Sequence, residues 1–316
     1  MKKIIAVMIA VIFITLLLPL AVVWLCGEVK EEPTETGSVK VYDATEKTVK
    51  DMGINEYLKC AVSAEMPADF EIEALKAQAV AARTYLYSHI EQAEKGNVDE
   101  SHKGGVICTD STHCQAYISE EKRRESWGEN ADEYWNKISS AVDETTGEIM
   151  TYNDEIISAV YHSTSSGNTE DAVDVWGSDV PYLKSVKSEG DLKSPKYESE
   201  LTISEDEYRK TVDEKVEGTD WTKGLAENIV RSDAGGIISI DVGGVTIKGT
   251  EFRSIFSLRS TNADITFENG DVKMSVKGYG HGVGMSQYGA NYMAQQGDSY
   301  EDILKTYYSG VEIEKR

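Results

Sequence analysis

Residues 54–86 read INEYLKCAVSAEMPADFEIEALKAQAVAARTYL, and this stretch predicts two packed helices joined by a tight turn. Apolar side chains recur at helical spacing through residues 54–62. Pro67 cannot continue a helix and disfavours helical angles at the residue before it, so the first helix should end near Glu65. The alanine-rich run 77–82 predicts a second helix, because small side chains permit close helix packing.

Beyond this helix pair, the pattern predicts an α+β fold with helices early and a strand-rich second half. Residues 149–152 and 156–161 read as the two strands of a short hairpin over the turn Asn153-Asp154. Residues 237–277 alternate and carry Gly243-Gly244 and Asn269-Gly270, which predicts several strands connected by hairpins. Residues 187–234 are highly charged and weakly patterned, and they are interpreted as a charged helical insertion over the core.

The N-terminus has the pattern of a membrane anchor. Residues 4–27 carry no charge, and a bilayer core of ~30 Å needs ~20 apolar residues in a helix. No Ala-x-Ala site is present, and bulky Leu25 precedes Cys26, so an uncleaved anchor is favoured over a cleaved signal peptide or a lipidated cysteine. Lys2 and Lys3 predict a cytoplasmic N-terminus.

These features predict a single-pass membrane protein. Its predicted parts are a cytoplasmic N-terminus and transmembrane helix over 1–27, a polar linker over 28–38 and an extracytoplasmic domain over 39–316. The formal charge of −23 excludes a nucleic-acid binder, because such a protein needs a cationic surface to displace counterions. It also predicts that the outer domain stands off anionic lipid head groups.

Three segments carry residue types that suit catalysis or ligand binding. Glu65 is a carboxylate in an apolar stretch, where burial would raise its pKa toward that of a general acid, and pairing with Arg83 is the structural alternative. The glycine-rich segment 278–289 presents His281 without neighbouring bulk, but it equally suits a turn beside core strands. The hydroxyl-rich segment 161–169 suits either sugar binding or an ordinary polar loop.

A fourth segment, residues 102–114, concentrates potential metal ligands. It contains two of the five histidines and two of the four cysteines of the chain: His102, Cys108, His113 and Cys114. Two thiolates and two imidazoles are a standard tetrahedral set for zinc, although this spacing is not that of a common zinc finger. A disulfide between Cys108 and Cys114 is the alternative.

Taken together, these segments resemble the stage II sporulation protein D (SpoIID) family. The similarity covers roughly residues 39–312. The motifs that carry it follow the family's order: AEMP at 64–67, ALKAQAVAART at 74–84, STSSG at 163–167, DVWG at 174–177, PYLKSV at 181–186, LRST at 258–261 and GHGVGMSQYGA at 280–290.

The resemblance implies a peptidoglycan lytic transglycosylase that acts on the cell wall during sporulation engulfment, at the mother-cell membrane. Such a lyase cleaves between N-acetylmuramic acid and N-acetylglucosamine without water and leaves a 1,6-anhydromuramoyl end. Glu65 matches the family's catalytic glutamate, which acts as a single acid–base. By similarity to the family, Arg83, Tyr182 and Lys184 are substrate-binding or site-forming candidates. We add as cleft candidates His162, Ser165, Ser166, His281, Gln287 and Tyr288.

The resemblance also implies a cofactor and partners. Clostridial members carry the ligand set of residues 102–114 as a zinc site, and four protein ligands would make that ion structural. Peptide-stripped glycan strands would be the substrate, with a partner amidase, stage II sporulation protein P (SpoIIP), and a membrane scaffold, protein M (SpoIIM).

Two other functions stay open at this point. One is a non-catalytic module that binds glycan and activates a cell-wall amidase. The other is a zinc-dependent amidase, which the crowded ligand set argues against because catalytic zinc keeps an open position.

Overall fold

The computed structural model describes residues 37–316, in which helices and strands are mixed along the chain. The α-helices of this part are α1 (Ile54–Glu65), α2 (Ile72–Glu94), α3 (Glu120–Trp127), α4 (Ala131–Glu144), α5 (Ala172–Trp176), α6 (Glu205–Asp213), α7 (Gly249–Ile255), α8 (Gln287–Gln296) and α9 (Tyr300–Tyr307). The strands are β1 (Ser38–Asp43), β2 (Thr48–Gly53), β3 (Ile107–Cys108), β4 (Glu148–Tyr152), β5 (Glu155–Ile156), β6 (Tyr161–His162), β7 (Glu198–Ser204), β8 (Glu227–Arg231), β9 (Ile237–Val242), β10 (Val245–Lys248), β11 (Ala263–Glu268), β12 (Asp271–Lys277), β13 (Met285–Ser286) and β14 (Glu312–Lys315). The predicted α+β class is confirmed.

Helices α1 and α2 lie at the centre of the first hydrophobic core. Helix α1 ends at Glu65 as predicted. Pro67 disfavours helical angles at the residue before it, and Met66 is extended. Helix α2 buries nearly every side chain from Ala74 to Leu86, so it is surrounded by α1, α4, α8, α9 and β4. Each fully buried leucine side chain contributes about 1.5–3 kcal/mol through removal of its apolar surface from water.

Short strands bring distant segments of this core together. Strand β1 pairs antiparallel with β2 and parallel with β3, where Tyr42 lies opposite Cys108. Strand β6 pairs parallel with β13, with His162 opposite Ser286. This second pairing places the hydroxyl-rich segment 161–169 beside the glycine-rich segment 278–289.

A second hydrophobic cluster is built from residues 208–276 and adjoining strands. One sheet has the strand order β11-β12-β7 and another has the order β10-β9-β8. Helix α6 packs on β7 and β12, and α7 packs on β9 and β10. The predicted insertion 187–234 therefore contributes strands and a helix that pack with residues 237–276, and its bounds as a separate insertion stay a prediction.

The predicted membrane anchor needs correction. Its residues, 1–27, lie outside the described part of the chain, as does most of the predicted linker. Within residues 37–316, every helix is either too short or too polar to cross a bilayer. The transmembrane helix and the single-pass localisation predicted from the sequence are therefore not supported.

Candidate active site and metal centre

Glu65 is the last residue of α1, and its carboxyl group opens into a cavity of about 480 Å³. Oε1 accepts a hydrogen bond of 2.6 Å from the backbone N–H of Ala116, and Oε2 accepts one of 3.5 Å from Nε2 of Gln287. The cavity is otherwise lined by Tyr85, residues 111–115, residues 159–161, Trp176 and His281. Among these described lining residues, Glu65 is the only carboxylate.

The environment of Glu65 suits a general acid. Burial raises the pKa of this carboxyl above its usual value, and the hydrogen bonds from Ala116 and Gln287 oppose that shift less strongly. Loss of water around the group disfavours the charged form, whereas the two donors favour it. The balance retains the proton at a higher pH than an exposed glutamate does, and the same donors then stabilise the carboxylate.

The two predicted histidines of the cleft are neutral and held by the backbone. Burial is the main cause that lowers the pKa of His162 to about 4 and that of His281 to about 3, and the positive charge of Arg253 contributes to both shifts. Nδ1 of His162 donates to the carbonyl of Val283 at 3.1 Å, while Nδ1 of His281 accepts from the N–H of Val283 at 3.1 Å. His281 lines the cavity with Glu65, whereas His162 is buried behind it.

Of the two predicted serines, Ser165 belongs to a buried network centred on Asp191. This carboxylate is fully buried and accepts hydrogen bonds from Ser165 Oγ at 2.5 Å and from Ser286 Oγ at 2.6 Å. Ser286 in turn caps α8, whose first residue is Gln287. Ser166 instead donates to the carbonyl of Ala234. The network therefore fixes the start of α8 and with it the side chain that contacts Glu65.

Four predicted site residues do not line the cavity: Tyr288, and the family-based candidates Arg83, Tyr182 and Lys184. Tyr288 packs against the edge of Phe70, with ring centroids 5.0 Å apart. Tyr182 accepts a hydrogen bond from the N–H of Ser158 through its hydroxyl, and Lys184 pairs with Asp179 and Asp171. These positions suit a supporting role in the present structure.

Arg83 is fully buried and contacts backbone rather than the cavity. Its guanidinium donates to the carbonyls of Thr145 at 2.7 Å and Val142 at 3.0 Å, and to Asn55 Oδ1 at 3.2 Å. A buried cation with these acceptors orients the end of α4 against α2. We therefore interpret Arg83 as site-forming rather than substrate-binding, because substrate cannot reach it without opening the core.

The four predicted metal ligands converge. The side-chain donor atoms of His102, Cys108, His113 and Cys114 all lie within 4.8 Å of one another. His102 Nε2 lies 3.2 Å from His113 Nδ1 and 3.2 Å from Cys114 Sγ, and His113 Nδ1 lies 3.6 Å from Cys108 Sγ. Donors around a tetrahedral zinc ion stand roughly 3.3–3.8 Å apart, as its bond lengths require. The cluster could therefore hold a metal ion.

Two further observations fit a metal centre. Cys108 and Cys114 are both free, so the alternative disulfide is not formed. Nε2 of His113, which faces away from the cluster, lies 3.2 Å from Asp99 Oδ2. A carboxylate on the far nitrogen of a ligating histidine fixes the ring and increases its basicity.

The metal cluster adjoins the cavity that contains Glu65. His113 and Cys114 line that cavity, and Ala116 follows two residues later. The side chain of Gln115 donates to the carbonyl of Ala82 in α2, which ties the segment to the core.

The contribution of Ala116 could not be read from the sequence, since a backbone donor has no side-chain signature. Trp176 was visible within the motif DVWG, but nothing in the sequence alone marked it as a cavity residue.

Comparison with known proteins identifies relatives of the chain. The model of a family described as stage II sporulation protein matches residues 42–152. Stage II sporulation protein D of Bacillus amyloliquefaciens is 39% identical over 284 residues, which cover 90% of this chain and 80% of that protein. The protein of the same name from Bacillus subtilis (strain 168) is 39% identical over 87% of this chain and 78% of its own length. An amidase enhancer of Bacillus subtilis (strain 168) is 30% identical over 81% of this chain and 40% of that protein.

Proposed function

This chain belongs to the stage II sporulation protein D family, and from that premise we propose that it cleaves peptidoglycan glycan strands as a lytic transglycosylase. The family acts in sporulation. The observation that carries the proposal is a single half-buried carboxyl, Glu65, at a cavity lined by no second described carboxylate. A hydrolytic glycosidase with two carboxylates needs the second at a defined separation, to activate water or to form a covalent intermediate.

One carboxyl completes the proposed reaction without water. Protonated Glu65 donates its proton to the glycosidic oxygen as the bond between this oxygen and C1 of N-acetylmuramic acid breaks. The resulting carboxylate then accepts the proton of the 6-hydroxyl of the same sugar as its oxygen bonds to C1. The products are an N-acetylglucosamine 4-hydroxyl end and a 1,6-anhydromuramoyl end, and Glu65 is protonated again.

The surroundings of Glu65 support both halves of this cycle. Burial favours the neutral acid that the first half requires. The Ala116 N–H and the Gln287 amide are placed to stabilise the carboxylate that forms between the two halves. The two histidines near the cavity are neutral at pH 7 and backbone-bonded, so neither competes with Glu65 as an acid.

We propose that the metal bound by His102, Cys108, His113 and Cys114 is zinc in a structural role, as in the clostridial type of this family. Two thiolates and two imidazoles suit zinc, and four protein ligands leave no position for substrate or water. The ion would supply neutralisation of the two thiolates and a fixed cross-link within residues 102–114. Such an ion would also order the segment that leads to Ala116.

The substrate and partners are part of the same proposal. Peptide-stripped strands are the proposed substrate, with stage II sporulation protein P as the amidase that strips them and protein M as the scaffold. The second candidate function is a non-catalytic module that binds glycan and stimulates an amidase. The similarity to the amidase enhancer favours that alternative.

The test uses the purified full chain and peptide-free glycan strands. Mass spectrometry should detect 1,6-anhydromuramoyl ends with the unaltered protein and none with Glu65→Gln. Glu71→Gln is the matched control, since Glu71 is exposed and lies six residues away. Glycan binding without anhydro products, unaffected by Glu65→Gln, would contradict the transglycosylase proposal and support the activating module.

A further inference from the structure

Trp176 is a large aromatic residue that is left exposed at the edge of the candidate site. It is the last residue of α5 and 44% exposed. It lines the 480 Å³ cavity that contains Glu65, and it also lines a separate cavity of about 120 Å³. An exposed indole that lines two cavities offers an apolar ring face to a ligand that occupies them.

Trp176 is held in place from two sides. Its ring centroid lies 5.2 Å from that of His281, which the N–H of Val283 fixes through Nδ1. The helix that carries it is capped by Asp171 at its start and closed by Gly177 in a left-handed conformation (φ 78°) at its end. A pre-positioned aromatic face loses little conformational freedom when a ligand packs on it.

The smaller cavity, here called the far cavity, joins the first core to the second cluster. On one side it is lined by α5, and on the other by residues of β9, β10 and α7. Its lining includes both apolar and hydrogen-bonding side chains: Val173, Ile238, Ser232, Thr250, Thr261 and Lys248. Lys248 is exposed and belongs to none of the ion pairs that form among the described residues.

This combination matches the chemistry of a pyranose ring. Such a ring has an apolar face of C–H groups and a rim of hydroxyl and acetamido groups. An indole face packs against the former, and hydroxyl and ammonium side chains bond to the latter. A polyanion is disfavoured, because the chain carries a net charge of −23 and the far cavity contains Glu170 and Asp174.

We propose that Trp176 and the far cavity form a sugar subsite for the glycan strand, beyond the sugars that flank the bond next to Glu65. The subsite takes a β-1,4-linked amino sugar, with its ring on the indole of Trp176 and its polar rim toward Thr250 and Lys248. This inference rests on the proposed function in that the ligand is a glycan. In this proposal, the residues of the second cluster that line the far cavity form part of the glycan-binding surface.

The experiment measures binding rather than cleavage. Calorimetric titration of the full-length Glu65→Gln protein with chitohexaose, a neutral β-1,4-linked amino-sugar oligomer, gives the reference affinity. Adding Trp176→Ala should weaken binding at least tenfold, and Trp176→Phe, which keeps an aromatic face, only a few-fold. Phe267→Ala is the matched control, since Phe267 is 37% exposed and does not line either cavity. Circular dichroism and thermal unfolding of each variant check the fold.

A second variant tests the far cavity itself. Lys248→Ala should weaken chitohexaose severalfold but leave chitobiose, which is too short to occupy both cavities, unchanged. Tryptophan fluorescence should change on chitohexaose binding, and Trp176→Phe should remove that change. Equal chitohexaose affinity for Trp176→Ala and its parent would overturn the subsite, as would an unchanged fluorescence response in Trp176→Phe.

The two proposals fail differently. If the unaltered protein makes no anhydro ends but its chitohexaose affinity depends on Trp176, the transglycosylase proposal is wrong and the subsite stands. If anhydro ends form at the same rate and chitohexaose binds equally with and without Trp176, the subsite is wrong and the proposed function stands.

Discussion

The backbone N–H of Ala116 donates to Oε1 of Glu65 across 2.6 Å, and Ala116 lies two residues after the candidate metal ligand Cys114. The segment that can hold a metal ion therefore also supplies one of the two donors to the candidate catalytic carboxyl. A backbone donor cannot be removed by changing its side chain, so only displacement of the segment breaks this bond. The metal cluster and the carboxyl of Glu65 are thus connected by one continuous segment. Residues 111–115 of this segment line the cavity, and Ala116 follows them.

The first prediction concerns the metal. Cys108→Ser should reduce zinc from about one ion per chain to a small fraction, because a tetrahedral structural site loses one of its four ligands. The melting temperature should fall as well, since each 1 kcal/mol of lost stability lowers it by about 2–4 °C in domains of about 150–250 residues. Elemental analysis and thermal unfolding measure both.

Cys60→Ala is the control for that variant. Cys60 is also a buried free cysteine, but it lies in α1 and outside the ligand cluster. The Cys60→Ala variant should bind as much zinc as the unaltered protein. Full zinc content in Cys108→Ser would show that this thiol is not a ligand.

The second prediction is a pH shift from Gln287→Ala. The Gln287 amide favours the charged form of Glu65 and so lowers its pKa; removal raises the pKa that burial has already raised. Because the protonated acid starts the reaction, kcat/KM falls as pH rises through this pKa. That alkaline limb should move to higher pH in the variant.

The comparison for the pH profile is Gln296→Ala. Gln296 is exposed at the other end of the same helix, α8. Its profile should match that of the unaltered protein. A lower rate in Gln287→Ala with an unmoved alkaline limb would mean that Gln287 acts on the fold or on substrate and not on the pKa of Glu65.

The third prediction concerns the buried carboxylate of Asp191. Asp191→Ala removes the acceptor of the buried Ser165 hydroxyl and leaves the Ser286 hydroxyl only the carbonyl of Ser163, at 3.4 Å. An unsatisfied buried polar group costs roughly 1–3 kcal/mol, so urea unfolding should show a loss of at least this size. Asp233→Ala, at an exposed position, should leave the free energy of unfolding nearly unchanged. Equal stability of the two variants would contradict the role assigned to Asp191.

The fourth prediction separates the two roles suggested for Arg83. Arg83→Lys keeps the charge but cannot reproduce the forked donation to the carbonyls of Thr145 and Val142. It should lower the free energy of unfolding by roughly 1.5–3 kcal/mol, the value of hydrogen bonds from a charged group. The KM for glycan strands should stay within about twofold at a temperature where the variant is folded. A large rise in KM without loss of stability would restore a substrate-binding role.

Local sequence signals determined much of the secondary structure. Pro67 ended α1 at Glu65, because a proline ring restricts the residue before it wherever the chain folds. The pair Asn153-Asp154 forms the turn between β4 and β5, since both residues adopt the left-handed conformation that this two-residue hairpin requires. The close spacing of His102, Cys108, His113 and Cys114 likewise predicted their convergence. Each of these signals acts over a few residues, so none depends on a distant part of the chain.

Tertiary structure alone decided the environment of each functional group. Whether Glu65 is a free acid or an ion pair with Arg83 depended on where both side chains point, and packing placed Arg83 in the core and Glu65 at a cavity. Ala116 and Trp176 reached the cavity through contacts between segments far apart in sequence, which no local pattern encodes. Burial sets the pKa of a carboxyl and exposure makes an indole available to a ligand, and both are properties of the folded surface. The sequence by itself therefore determined the helix ends, turns and ligand types, whereas the fold decided which of them face the cavity.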